Sequence, residues 1–467
     1  MKKRKEIEKR VALKKFKRRL KSKEKRKNKR RSKNYSYIES KKELGDDHSY
    51  ENILENWLPA NLSYLLSCEG SDFHLSKIGN NVPENGGRFF VPKEFSIVDN
   101  AETSYRFIQG LLGALIRQKY SKVYIDYSKC TRLDLGAQVF LDIILRDVIK
   151  FFKRCGQYKK TRPKVSEING TNANNKNVQK LLNSVGSPVI HSNIEKKYSD
   201  IIPYKLCVHD REVSGDPVKI REQKDLDTTK LVDYVLDCLK TLNRTLTIDR
   251  LDDLSTVIGE ILINAEEHST TKHRFSIGYF HEKTEGDKHF GVFRLAILNF
   301  GQTIYEKFKD PNCPNQNTVS KMKSLSNQYT KKKYFIIKGF EEETLWTLYA
   351  LQDGVTSVST DEYLKRGNGS IQFIESFFNI KGQNKETDDF STLAILSGNT
   401  KIIFDGTYNI TSGIVDGEKY KFMTFNESGK IEDKPDTKFI KYTNNYFPGT
   451  IISAKILFNE DDLTEEI

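Results

Sequence analysis

The sequence predicts a mixed chain: an α/β region followed by an α+β region. Three observations predict it. Between Arg88 and about Asp210, short apolar runs alternate with helical patterns, which calls for a sheet with helical crossovers. Around residue 260, Leu254, Val257, Ile258, Ile261, Leu262 and Ala265 recur at helical spacing and define an amphipathic helix packed on a core. An apolar strand from Phe293 runs into a turn at Gly301, and the C-terminal part from Ala394 reads mostly as strand, with an alternating run from Ile451 to Phe458.

Residues 1–34 hold 20 Lys or Arg and 3 Glu, a net of +17 against +14 for the whole chain, which leaves the rest at −3. The basicity is therefore a tail, read as a disordered arm by self-repulsion. Two readings of it stand level: a grip on nucleic-acid phosphate or another polyanion, and a solubilising tail. Phe16 is its one aromatic residue, so base stacking is not indicated. Residues 35–87 form a poorly defined helical and loop region, with a short helix between Tyr50 and Leu66 broken at Pro59.

In the α/β domain, 88–210, strands are expected at Phe89–Pro92, Phe95–Ile97, Lys122–Tyr127 and Lys164–Ile168. Helices are expected at Ala101–Gln118, Ala137–Phe152 and Asn177–Val185, the last ending at Gly186 as C-caps do. Residues 211–225, with Gly215 and Pro217, read as a linker. The second domain, 226–467, opens with a helix from Thr228 to Leu242. Glu341–Leu351 reads as a further helix, and Ala394–Phe404 as a β-hairpin turning at Ser397-Gly398-Asn399.

The candidate chemistry lies in the second domain. Glu260, Asn264 and His268 share one stripe of the amphipathic helix. A carboxamide oxygen can ligate Mg²⁺, and a carboxylate one turn earlier can polarise a water. Asn299-Phe300-Gly301-Gln302-Thr303 follows the apolar strand, and Arg366-Gly367-Asn368-Gly369 opens an apolar helix at which backbone N–H groups can approach phosphate. Phe447-Pro448-Gly449-Thr450 leads into the last strand. Together, in this order, these stretches resemble the GHKL family of ATP-binding domains (gyrase, Hsp90, histidine kinases, MutL), over residues 226–460. The resemblance implies a Bergerat-type α/β sandwich binding ATP and Mg²⁺. It implies Glu260 as catalytic base and Asn264 as metal ligand. It implies His268, Asn299, Gly301, Thr303, Gly367, Gly369 and Thr450 on the nucleotide, under a long lid over about 302–366. Lys331-Lys332-Lys333, Lys338 and Lys365 make the lid partly basic, and Arg366 is a candidate for the γ-phosphate. Two positions depart from the family: Asn299 stands for its adenine-binding Asp, and Thr303 for the second Gly of that box. An Asn accepts from the adenine amino group without charge and so more weakly.

Val123–Ser128 through Leu133–Ala137, with the helix Val178–Gly186, resembles the STAS domain of anti-sigma-factor antagonists. Leu135 occupies the position of that family's phosphorylatable Ser. No run approaches the roughly 18 apolar residues of a membrane span. The N-terminus lacks the apolar stretch of a secretory signal. Six scattered cysteines without a Cys-x-x-Cys pair indicate a reducing, bacterial-type cytoplasm. His268, His273, His281 and His289 are close in sequence, but three do not share a helix face, so they read as ordinary polar residues. The expectation is an ATP-dependent switch acting on a protein partner, by hydrolysis, serine phosphorylation or binding alone. A nucleic-acid-associated ATPase is the alternative, and homodimerisation is left open.

Overall fold

The computed structural model describes residues 57–78, 86–155, 165–187, 198–210, 217–267, 270–285, 288–330, 339–357, 369–380, 383–384, 389–415, 418–458 and 463–465. The basic arm, His268, Lys331–Lys333, Lys338 and Lys365–Asn368 lie outside them. The chain divides into two compact units. The first comprises Met1–Leu58 and Lys150–Pro163; in its described part, Arg154 donates to the Trp57 carbonyl at 3.0 Å. The second, Pro59–Ile149 with Lys164–Ile467, holds the rest.

Helix α1 (Ala60–Ser67) begins directly after Pro59. Strands β1 (Arg88–Phe90) and β2 (Glu94–Phe95) precede α2 (Ala101–Ile116), β3 (Lys122–Asp126), β4 (Arg132–Leu133) and α3 (Leu135–Cys155). Then come β5 (Glu167–Thr171) and α4 (Lys176–Val185). Helix α4 has both ends written in its sequence. The Asn175 side chain accepts from the N–H groups of Asn177 and Val178, and Gly186 closes it at φ 66°. Strands β1, β3 and β5 form a parallel sheet in the order β1-β3-β5, and β2 pairs in parallel with β4. The expected alternation is present; β4, at two residues, was too short to read from sequence.

Strand β6 (Ile201–Asp210), α5 (Pro217–Lys240), β7 (Arg244–Leu246) and α6 (Ile248–Glu267) follow. Next are β8 (His273–Glu285), β9 (Lys288–Phe300), α7 (Ile304–Lys309), α8 (Gln316–Thr330), α9 (Glu342–Tyr349) and α10 (Gly369–Ile380). The remainder is β10 (Gln383–Asn384), β11 (Asp389–Phe390), β12 (Thr392–Phe404), β13 (Thr411–Val415), β14 (Glu418–Phe422), β15 (Ile440–Leu457) and β16 (Leu463–Glu465). Five strands form an antiparallel sheet in the order β12-β15-β9-β8-β6.

This sheet is buried on both faces, which explains the unbroken apolar run of β9. Phe293, Leu295 and Ile297 join the core shared with α5, α6 and α10. Val292, Ala296, Leu298 and Phe300 alternate with them and are equally buried. The N-terminal layer meets that second face: the Phe140 ring lies 5.9 Å from Phe300 and 5.2 Å from Phe447. Asp72 accepts from the Tyr446 N–H and the Asn445 amide, and Lys401 donates to the Val98 carbonyl. Within this unit, three layers therefore stack around one sheet.

Four sequence expectations change. Strand β6, placed in the 88–210 domain, is an edge strand of the five-stranded sheet, paired with β8. Residues 217–225 of the expected linker are helix; Pro217 is the first residue of α5, where its missing N–H costs nothing. The expected hairpin at 394–404 is one continuous strand. Gly398, at φ 58°, sits in a bulge where the β12–β15 register shifts. Much of the expected lid interval is a packed part of the body: Phe308, Met322, Leu345, Trp346 and Tyr349 are buried in the main core. Among the described residues, no helix is long and apolar enough to cross a membrane.

Candidate functional site

One row of side chains crosses four strands at one end of the sheet, on the face toward α5 and α6. Arg274 on β8 lies opposite Asn299 on β9, Asn299 opposite Thr450 on β15, and Thr450 opposite Ser397 on β12. All four are buried, and Asn299 and Ser397 have no exposed surface. Arg274 is paired with Asp227 of α5. The Thr450 and Ser397 hydroxyls share a hydrogen bond of 2.9 Å, and Ser397 Oγ also accepts from the Ile304 N–H.

Asn299 is the exception in this satisfied row. Neither its Oδ1 nor its Nδ2 has a partner among the described residues. An amide left so costs on the order of 1–3 kcal/mol, enough to make it the feature requiring explanation. Its position is fixed tightly. A Cβ on Gly449, at φ 142°, would come within 2.2 Å of the Asn299 carbonyl oxygen, so β15 can approach β9 here only through glycine.

The turn beyond Asn299 is built by short local bonds. The Gly301 N–H donates to the Pro448 carbonyl at 3.3 Å, and the Gln302 N–H to Thr270 Oγ1 at 3.1 Å. Thr303, expected on the cofactor, is fully buried and caps α7: its hydroxyl accepts from the Glu306 N–H, and the Glu306 carboxylate accepts from the Thr303 N–H. It shapes the turn instead of lining an opening. Glu343 of α9 accepts from the Asn399 N–H at 2.6 Å. Burial chiefly, with Glu306 and Glu341 adding repulsion and the Asn399 N–H opposing, pushes its carboxyl up to about 7.

Two helix ends reach the same end of the sheet. Helix α6 finishes at Glu267 and β8 begins at His273, so its last turns, bearing half-buried Glu260 and Asn264, lie beside the start of β8. Helix α10 packs along α6, and Asn379 near its end donates to Asp253 near the start of α6 at 3.0 Å. The two are thus antiparallel. Counting back from Asn379 to Gly369 and forward from Asp253 to Asn264 covers nearly equal lengths at about 1.5 Å per residue. The first turn of α10, with N–H groups unpaired in the helix, stands level with Asn264.

The fold thus brings Asn264, Gly369, Asn299, Gly301 and Thr450 to one end of the sheet, from segments far apart in sequence. His268 and Gly367 are outside the described residues. Sequence reading missed Ser397, hidden in a Ser-Gly pair that resembled a turn, and the Arg274–Asp227 pair, which no local pattern signals. Among the described residues, no group of three or more His, Cys, Asp or Glu is placed to hold a metal ion. Compared with protein-family models, curated proteins and solved structures, the chain matches none.

Proposed function

We propose that the chain binds Mg-ATP at this end of the sheet and uses it to switch an interaction with a protein partner. One observation carries the reading: the fully buried, unpartnered Asn299 amide. An amide offers one acceptor and two donors on one edge, so it can accept from the adenine amino group and donate to the neighbouring ring nitrogen. Adenine would satisfy both orphaned atoms together. The helix ends supply the remaining needs. The first turn of α10 favours phosphate, and the Asn264 carboxamide is the oxygen ligand that would hold Mg²⁺, which commonly takes only one or two protein groups besides phosphate and water. Bound Mg²⁺ would offset phosphate charge. Glu260, one turn before Asn264, would orient and deprotonate a water or substrate hydroxyl.

The GHKL resemblance supports this assignment, since the stretches that resemble the family's elements follow its order, and two of them lie in an antiparallel sheet backed by helices. The STAS-like reading rests on the parallel β1-β3-β5 sheet with α2–α4, which lie against that sheet's other face and make an internal regulatory layer a consistent arrangement. A cytoplasmic setting follows from the same reading.

The test is calorimetric titration with Mg-ATP, together with phosphate release, for wild type, Asn264→Ala and Glu260→Ala. Asn264→Ala is expected to abolish magnesium-dependent binding. Glu260→Ala is expected to keep binding and reduce any turnover by about 10²- to 10⁴-fold. Normal hydrolysis by Glu260→Ala rules Glu260 out as base.

A further inference from the structure

Helices α5 and α6 are joined by residues 241–247 and run back along each other, with Thr228 of α5 beside Gly259 of α6. On the side away from the core they leave an open groove of about 380 Å³. Val232 and Leu236 of α5 and Leu251 of α6 make it apolar, and Thr228 and Ser255 add small side chains. Apolar surface continues beyond it. Ile248 is 84% exposed, more than any other large apolar residue described, and Leu226 is 54% exposed. Ile248, Leu251, Ser255 and Gly259 follow one another at steps of three and four. They therefore share one stripe of α6, roughly 17 Å long at about 1.5 Å per residue. Single exposed apolar residues are ordinary; those that extend an apolar groove mark an interaction surface.

A glycine inside a helix weakens it relative to alanine. A Cβ on Gly259 would meet only Thr228, at 3.8 Å and beyond, which is an ordinary contact. Nothing in the described chain therefore calls for glycine there, whereas a helix approaching from outside would. Charge narrows what that helix can be. Every cation described on α5 and α6 is paired with a carboxylate of its own helix: Lys224 with Asp225, Lys230 with Asp227, Lys240 with Asp237 and Arg250 with Asp253. Asp233 on the α5 rim, and Asp249 and Asp252 beside Ile248 on α6, are exposed and have no basic partner among the described residues. Uncompensated acidic charge thus flanks the apolar floor on both helices. It repels nucleic acid, and a second copy of the same groove would set these carboxylates against their own counterparts.

We propose that this groove is the docking site for a basic amphipathic helix of a protein partner. About three turns of that helix lie along α6, with its apolar side chains on Val232, Leu236, Leu251 and Ile248. Its backbone passes close to Gly259, and its Lys or Arg side chains reach Asp233, Asp249 and Asp252. Thr228 and Gly259 are chain neighbours of Asp227, which holds Arg274, and of Glu260, so the groove adjoins the site described above. Its role as the partner face of the nucleotide switch rests on the proposed function; the docking of a helix does not.

The experiment is fluorescence anisotropy with the full chain and no nucleotide. The probe is a labelled peptide of about four helical turns, with Leu at steps of three and four and Lys elsewhere. A scrambled peptide of the same composition, with no apolar face, is the control. The expected result is saturable binding of the helical peptide, about tenfold or more tighter than the scrambled one. Ile248→Ser removes an apolar contact and Gly259→Gln blocks close approach; each should weaken binding about tenfold. Gly259→Gln should leave the unliganded Tm no lower than wild type, since Gln favours a helix over Gly, so its loss of binding cannot be attributed to misfolding. Asp233→Asn combined with Asp252→Asn should weaken binding and flatten its salt dependence. The proposal is overturned if the helical peptide does not bind wild type, if the scrambled peptide binds equally, or if neither Ile248→Ser nor Gly259→Gln weakens binding. Self-association of the full chain that Ile248→Ser abolishes would place a second copy in the groove and overturn it as well. Repeating the titration with Mg-ATP reads the link to the switch: an unchanged peptide affinity removes the groove from the switch and leaves the docking intact.

Discussion

Asn299 combines complete burial with two polar atoms unsatisfied among the described residues, a combination a folded chain retains only at a cost. The choice of an amide has a consequence for selectivity. A carboxylate at this position would accept only and would repel the guanine carbonyl. An amide can turn its donor toward that carbonyl and its acceptor toward the guanine ring N–H. Asn299→Asp is therefore expected to raise the preference for ATP over GTP by about tenfold, read as the ratio of the two dissociation constants; an unchanged ratio means that this side chain does not read the base. The sequence already pointed to Asn299 and Thr450 as candidate site residues. It could not show that they face each other across β9 and β15, because register is a property of paired strands. Nor could it show that Thr303 would be consumed as a helix cap. Its signature, Thr303 followed three residues later by Glu306, is a capping box, and it lay within the stretch read for nucleotide contact. Thr303→Ala should cost about 1 kcal/mol of stability, measured by urea unfolding.

Among the elements, α6 was legible from its apolar periodicity and α4 from its closing Gly186. The bulge at Gly398 was not, because a glycine in the left-handed region serves a hairpin and a bulge alike. Helix α3 carries a feature no pattern announces. Asp142 accepts from the Gln138 amide and the Ser187 hydroxyl, both at 2.8 Å, and Tyr127 donates to Gln138 at 3.0 Å. This buried network ties the residue after β3, helix α3 and the residue after the Gly186 cap. Burial outweighs those hydrogen bonds and raises the Asp142 carboxyl from its ordinary 3.8 to about 7. Between these two values the native state holds a proton that the unfolded chain has lost. The stabilisation is therefore full below about 3.8, falls as pH rises, and is gone above about 7. Asp142→Asn keeps an acceptor and removes the titration. It should match wild type in urea midpoint at pH 4 and exceed it at pH 8; parallel profiles would contradict the assignment.

At the scale of the molecule, the charge asymmetry and the layering are the two organising facts. The layering was only half legible. The apolar run of β9 was visible, but its alternation into two buried faces, and so the direct stacking of the N-terminal layer on the sheet, required the fold. The arm is a reading from composition alone and lies outside the described residues. Deleting residues 1–34 should leave unfolding of the body unchanged, since a segment this charged buries no core. If the arm grips polyanions, the full chain should bind DNA or RNA at low salt and lose affinity steeply as salt rises. Equal binding by the truncated chain would assign any such affinity to the body.

The central claim, that the Asn299 amide awaits a nucleotide base, predicts opposite changes in stability and binding for one substitution. Asn299→Leu removes the unsatisfied amide while nearly keeping its shape. Calorimetric titration with Mg-ATP, run beside thermal unfolding of the unliganded proteins, measures both. The account predicts saturable binding by wild type, none by Asn299→Leu, and an unliganded Tm for the variant equal to or above wild type. Wild-type affinity in Asn299→Leu would contradict it.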